Sequence, residues 1–323
     1  MQSPPMQEVE GIFVWGRFGW MEEGVAVALE RVTVRIPATV ANLGAGFDVL
    51  AAAVGVHAEV TLAPARAPQV TVTGVDVPQD SSNLIYRSAA AVAQRVGHAG
   101  SFSLTANSPI PLRSGLGSSA AAIIGGVVAA NRLLGDPLGT DDLLGIATGL
   151  EGHPDNVAAA LLGGVVVVTR DDATMRWARI LPGFPLAVVL VTPDLQIATA
   201  AARAALPRQV SLEDAVYNLG HAGLLLIALA QGHPDLLRHA LTDRLHQPHR
   251  RHLVPGFDDV IASAIRAGAY GAVLSGSGPT VAALAPPATA PGVGQAMVEA
   301  FRRAGLDSRA IVTGIEPRGA LDV

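Results

Sequence analysis

An α+β protein of two halves with a cleft between them is the fold class this sequence predicts. From Arg31 onward, short β-branched runs alternate with long Ala/Leu segments, as packed layers of strand and helix require. From about residue 185 the order becomes strand, helices, two strands, helix, strand, the split βαβ order of a ferredoxin-like layer. With 323 residues, 50% hydrophobic and 15% charged, the chain is large enough to bury a sizeable core.

The first 30 residues, MQSPPMQEVEGIFVWGRFGWMEEGVAVALE, show no clear period. Glu8, Glu10 and Arg17 interrupt their apolar letters, so neither a secretory signal nor a membrane span is predicted. They are expected to form a poorly ordered extension of a cytoplasmic protein. RVTVRI, HAEVTL, QVTVTG and SFSLTA then read as strands, several with period-two alternation. NLIYRSAAAVAQRV, residues 83–96, carries apolar residues at helical spacing, with Asp80, Ser81 and Ser82 as candidate caps. A second helix, from about Ser118 to Leu134, is apolar on every face until Asn131 and Arg132, so it is expected between layers. In the second half LAVVLV reads as a strand, and SLEDAVYNLGHAGLLLIALA as a long helix opening at Ser211 with Asp214 three residues on. DLLRHALTDRL and FDDVIASAIRAG are further helical patterns, and AVLSGSGPTVAAL is two strands around a glycine turn. GVGQAMVEAFRRAG supplies the last helix and SRAIVT the last strand. The join is expected near residues 170–185, giving halves 31–180 and 181–323.

Composition narrows the chemistry. A net charge of -5 offers no basic footprint for nucleic acid or an anionic membrane, so small soluble partners are favoured. Without cysteine there is no disulfide, thiolate zinc site or Cys nucleophile. Lysine is absent too, all 22 basic residues being Arg, which removes Schiff-base and lysine general-base chemistry.

Residues 109–126, PIPLRSGLGSSAAAIIGG, pass straight from a glycine-rich turn into the uncharged helix. Gly115 and Gly117 permit backbone conformations closed to other residues, while Ser118 and Ser119 place small hydroxyls where the helix begins. Free N–H groups and the positive end of a buried helix together make an anion site. The loop is not a Walker loop, which needs Gly-Lys-Ser/Thr, nor does G-x-G-x-x-G fit it. IPATVANLGAGFD, residues 36–48, gathers Asn42, Gly44, Gly46 and Asp48 in one loop. LEGHPDNVAAALLGG, residues 150–164, sets Glu151, His153, Asp155 and Asn156 before another uncharged helix. Singly, each also reads as an Asx turn or helix cap. His153 reads as a loop hydrogen-bonder, since no partner stands at zinc spacing.

In combination these blocks resemble the GHMP kinase superfamily, whose phosphate loop Pro-x-x-x-Gly-Leu-Gly-Ser-Ser-Ala is matched by Pro111 to Ala120. Within it the chain is most similar to the homoserine kinase family. RIPATVANLGAGFD, NLIY, EGHPDNVAAALLGG, DRLHQPHRRHLVPG and LSGSGPT occur in the family's order across residues 31 to about 315. The resemblance implies a GHMP kinase fold with a ribosomal-protein-S5-domain-2-like N-terminal half. It also implies ATP-dependent, Mg²⁺-assisted phosphorylation of the side-chain hydroxyl of L-homoserine.

By the same resemblance, ATP phosphates would lie on Gly115, Leu116, Gly117, Ser118 and Ser119, in a loop that includes Pro111, Arg113 and Ala120, with Asn83 where adenine is held. Glu151 matches the metal carboxylate and Ser119, with Ser118 as the alternative, the hydroxyl ligand, hard oxygens that suit Mg²⁺. Asn42, Asp48, Asn156, Thr199, Arg203, Arg250 and Gly276 would contact the amino acid, Asp48 meeting its ammonium and the two arginines its carboxylate. Catalysis would fall to Asp155, Asn156 and Arg203. Relatives such as mevalonate kinase use an Asp in this block as base; orienting Asn156 or the loop is the other role open to Asp155. Threonine as an inhibitor and a homodimer are further implications. Val40, Ala45 and Gln247 depart from the family's usual Ser, Pro and Glu, which bears on substrate selectivity more than on reaction class. The alternatives are a mevalonate or sugar kinase of the superfamily and a catalytically silent sensor. The missing lysine stands against mevalonate kinase; Glu151, Ser119 and Asp155 stand against the sensor.

Overall fold

The computed structural model describes residues 29–171 and 174–320; apart from residues 29 and 30, the extension expected at the N-terminus lies outside them. Alternation starts the first sheet: β1 (Val32–Ala41) buries Val32, Val34 and Ile36 and exposes the residues between. It pairs antiparallel with the long β2 (Leu50–Ala65), with a register shift between Pro37 and Ala38. β3 (Gln69–Thr73) lies parallel to β4 (Ser101–Asn107), which runs antiparallel to β2. On the other side of β2 come β5 (Val165–Asp171) and β6 (Thr174–Ile180), completing six strands. The segment expected to join the halves is therefore partly sheet. β6 escapes detection because it is an edge strand exposed along most of its length, so no buried alternation marks it.

Four helices accompany this sheet: α1 (Leu84–Arg95), α2 (Ser118–Leu133), α3 (Thr140–Glu151) and α4 (Asp155–Leu162). α2, without charge until Arg132 in its last turn, packs against the other three helices and against β1 and β2. Ile123, Ile124, Val127 and Val128 are sealed from solvent there, each contributing roughly 1.5–3 kcal/mol by burial. α1 is capped one residue later than expected: the Asn83 carboxamide oxygen accepts the Ile85 N–H at 2.9 Å, and Asp80 instead accepts from Ser82.

The second sheet begins with β7 (Ala187–Pro193), followed by α5 (Thr199–Ala204), α6 (Leu212–Gln231), α7 (Leu237–Ala240), α8 (Gln247–Arg250) and α9 (Phe257–Arg266). Then come β8 (Gly271–Leu274), β9 (Val281–Ala285), α10 (Ala290–Arg303) and β10 (Ser308–Gly314). Strand order is β10-β7-β9-β8 with every neighbour antiparallel, as a ferredoxin-like split βαβ demands. The helix read from DLLRHALTDRL is cut short at Ala240. Asp243 accepts the N–H groups of Leu245, His246 and Gln247 at 2.9, 3.0 and 2.6 Å and turns the chain into α8. After β10 the chain returns to the first half, where Glu316 bonds Ala53 and Gly164 through its backbone and His57 through its carboxylate. No helix of the described residues is long and apolar enough to cross a membrane.

Candidate active site

Three loops close on a cavity of about 340 Å³: the β1–β2 connection, the glycine loop before α2, and the β8–β9 turn. Backbone hydrogen bonds lock them together, Thr39 N to Leu116 O at 3.1 Å, Gly276 N to Ala41 O at 3.2 Å and Thr280 N to Ser114 O at 3.1 Å. The Ser275 hydroxyl donates to Gly115 O at 2.6 Å. Gly115 and Gly117 have φ of 83° and 68°, and a Cβ on either would collide with Ser275 O or Thr39 Oγ1 respectively. Of the five described non-glycine residues with positive φ, four lie in these loops: Asn42, Leu43, Asp48 and Arg113. Such backbone costs roughly 1–2 kcal/mol per residue and collects where a site is pre-organised.

α2 starts behind Gly117, which caps it with no side chain, so the first amides have no intrahelical acceptors. At that end the Ser119 hydroxyl donates to Glu151 Oε1 at 2.6 Å. His153 Nδ1 meets Asp155 Oδ1 at 2.8 Å, the Asn156 N–H donates to the same oxygen at 2.8 Å, and Thr39 Oγ1 donates to Asn156 Oδ1 at 2.6 Å. Burial pushes the Glu151 carboxyl above its usual range, against the Ser119 hydrogen bond and the His153 charge. At His153 burial disfavours the charged ring, but the hydrogen bond and charge of Asp155 outweigh it and hold the imidazole above its ordinary value. Among the described residues no three His, Cys, Asp or Glu side chains gather as a metal cage. Glu151 and Ser119 supply two hard oxygens, so Mg²⁺ fits here only with phosphate and water completing its shell.

At the other end, Arg203 forms a two-pronged bond with Asp48, Nη1 to Oδ2 and Nη2 to Oδ1, both 2.9 Å. These two residues were expected to face opposite ends of an amino acid; in this structure they satisfy each other. The Asp48 hydrogen bond keeps Arg203 firmly protonated. Arg250 is buried, donating through Nε to Ala202 O and through Nη1 to Gly276 O, both at 3.1 Å. Phe47 lies beneath both guanidiniums, 5.8 Å from Arg203 and 5.2 Å from Arg250, with His246 stacked on it at 5.4 Å.

Of the sequence-derived residues, Asn42, Asp48, Asn83, Arg113, Gly115, Gly117, Ser118, Ser119, Glu151, Asp155, Asn156, Thr199, Arg203, Arg250 and Gly276 all line the cavity. Leu116 and Ala120 are buried behind the loop, and Pro111 accepts the Ser114 hydroxyl at 2.8 Å. Both ends of the Asn83 carboxamide are taken by backbone, Nδ2 donating to Pro78 O at 2.7 Å, so Asn83 shapes the wall. Sequence reasoning missed the apolar wall of Val72, Val75, Val77 and Pro78, which only tertiary folding brings beside the loop. It also missed Thr39 and Phe47, although both stand inside a block it singled out. The departures sit behind the lining: Val40 and Ala45 are buried in the core, and Gln247 Oε1 accepts the Leu274 N–H at 2.8 Å.

His246 supports this end in its neutral form, its Nε2 bonding Gly44 O at 2.9 Å. Burial depresses its pKa, the Asp243 charge only partly opposing. The unfolded chain therefore takes up a proton near pH 6.5 that the folded chain refuses, and stability is expected to fall as pH drops below that value toward the folded pKa. Thermal melts of the wild type and His246→Gln between pH 5 and 7.5 check this; the variant is expected to show a shallower acid slope.

The fold and the loop geometry define a GHMP kinase. The description "GHMP kinases N terminal domain" matches residues 83–164, and "GHMP kinases C terminal" matches residues 225–303. The homoserine kinase of Carboxydothermus hydrogenoformans is 44% identical over 297 residues, 90% of this chain and 97% of that one. That of Deinococcus radiodurans is 46% identical over 253 residues, 77% of this chain and 82% of its own. The crystal structure of homoserine kinase from Cytophaga hutchinsonii superposes with a TM-score of 0.83 at 33% identity, covering 94% of this chain and 98% of that one. The chain belongs to the homoserine kinase family of the GHMP kinases.

Proposed function

We propose that this chain transfers the γ-phosphoryl group of ATP to the side-chain hydroxyl of L-homoserine, giving O-phospho-L-homoserine and ADP. One observation carries the reading: a single cavity holds an uncapped helix start, a hard-oxygen pair at Ser119 and Glu151, and a carboxylate beside two guanidiniums. The first suits a triphosphate, and the last suits the two charges of an α-amino acid.

On this reading adenine lies against Val72, Val75, Val77 and Pro78, and the phosphates meet the amides from Gly115 to Ser119. Glu151 and Ser119 would hold Mg²⁺, which when bound neutralises charge on the phosphate oxygens. Asp155 takes the hydroxyl proton as the substrate oxygen bonds to phosphorus, and the bond from the γ-phosphorus to its bridging oxygen breaks, its electron pair leaving with ADP. Asn156, fixed by Thr39, positions the acceptor beside Asp155. The helix amides stabilise the equatorial oxygens while Arg203 and Asp48 hold the acceptor by its two charges, so no lysine is required. Threonine shares the zwitterion and a hydroxyl and would compete as an inhibitor, while homodimerisation in the cytoplasm follows from the family resemblance.

Incubation with MgATP and a panel of homoserine, threonine, mevalonate and galactose, following ADP release, tests the reaction. Homoserine is expected to lead by about 10²-fold or more in kcat/KM, since mevalonate and galactose leave charged groups of the site unpaired, while threonine carries its hydroxyl one carbon nearer the α-carbon and out of line with the phosphate. Release of ADP with mevalonate or galactose alone would select another kinase of the superfamily, and none with any acceptor would select the sensor.

A further inference from the structure

We infer that Asp48 and Arg203 form a charge-exchange latch, closed on itself without substrate and opened only by a ligand that brings an ammonium and a carboxylate together. The inference rests on the amino-acid reading of this end of the cavity and adds how that end selects its ligand. Both residues line the cavity, and their pairing occupies both carboxylate oxygens and both terminal guanidinium nitrogens. The arrangement is built in from the backbone. Asp48 has φ 55° and its N–H donates to Asn42 Oδ1 at 3.1 Å, while Arg203 lies over the Phe47 ring. Thr199 lies one helical turn before Arg203 on α5 and lines the same cavity, so a ligand held there reaches the pair.

The energetics follow from counting charges. A zwitterion gives Asp48 an ammonium and Arg203 a carboxylate, so two ion pairs replace one and nothing is left unpaired. A ligand with only one charge must break the fork and strand either Asp48 or Arg203. With side-chain exposures of 38% and 32%, the pair is wet enough to open and its strength is modest. Arg250 takes no part in the latch, because two of its donors are tied to the carbonyls of Ala202 and Gly276 whatever Asp48 does.

A latch and a pair of independent subsites predict effects of different size in one experiment. The probe is 4-hydroxybutyrate, which is homoserine without its ammonium, titrated by NMR at about 0.15 M salt against the wild type and Asp48→Asn. Independent subsites leave only the screened through-space gain from removing a nearby negative charge, about twofold or less. The latch frees Arg203 from its partner, so affinity for 4-hydroxybutyrate is expected to rise about tenfold in Asp48→Asn, corresponding to roughly 1.4 kcal/mol. The reciprocal arm uses 3-amino-1-propanol, homoserine without its carboxylate, and expects the same gain in Arg203→Gln. It decides the question should the first variant fail to fold. A gain of about twofold or less, or weaker binding, of the single-charge ligands in the folded variants overturns the latch. Turnover of homoserine by the unaltered chain tests the kinase reading separately, and the titrations decide the latch whatever that turnover is.

Discussion

Gly117→Val is expected to lower kcat/KM for ATP by about 10³-fold or more while Gly139→Ala leaves it within about twofold. Gly117 has φ 68°, a region costly to any L side chain and most of all to a β-branched one. Its new Cβ would collide with Thr39 Oγ1 and stand 3.2 Å from Asn156 Oδ1, so the loop must move away from β1 and α4. That movement displaces the first amides of α2, the groups proposed to hold phosphate. Losing two charge-assisted hydrogen bonds of about 1.5–3 kcal/mol each accounts for a loss of this size. Gly139 sits at the start of α3 with φ -81° and open space around its Cβ position, so Gly139→Ala controls for the mere loss of a helix-start glycine. ATP affinity by calorimetry, with circular dichroism confirming the fold, is the measurement; unchanged affinity in Gly117→Val would remove the ground for placing triphosphate on this helix.

Where local chemistry decides structure, the sequence could be read directly. An uncharged run after a glycine loop has nowhere to go but the interior, and α2 lies there. The strand and helix order of the second half leads to the observed β10-β7-β9-β8 sheet. Reading failed where tertiary context overrides local pattern. An exposed edge such as β6 carries no buried face, and α7 stops at Ala240 where periodicity would have continued it, with Asp243 turning the chain into α8. The site followed the same division. Loop residues were found where amide and carboxylate crowd one turn, as at Asn42 and Asp48, or where the glycine-rich block around Arg113 resembles a known loop, and all three hold left-handed backbone. Partnerships across long separations were not. Nothing local indicates that Arg203 would close on Asp48, 155 residues earlier, or that Phe47 would lie under two arginines contributed by α5 and α8.

Asp155→Asn is the substitution that separates chemistry from scaffolding, and kcat is expected to fall by about 10²-fold or more with KM for ATP little changed. Asp155 is almost wholly buried at the first position of α4 and sits beside Asn156 in the cavity lining. Its Oδ1 accepts from the Asn156 N–H at 2.8 Å and faces His153 Nδ1 at 2.8 Å. The Asn replacement keeps shape and one acceptor oxygen, so the donor at Asn156 N stays satisfied and Asn156 remains held by Thr39 at 2.6 Å. On the proposed mechanism, what Asn removes is the charge that attracts the hydroxyl proton as the O–P bond forms. A loss confined to about threefold is too small for general-base catalysis and would reassign Asp155 to orienting Asn156. A rise in KM for homoserine at near-normal kcat would point the same way, because misplacing Asn156 weakens binding of the acceptor before it slows the transfer. A fall in kcat alone marks a group whose contribution appears only in the transition state, as a proton acceptor requires.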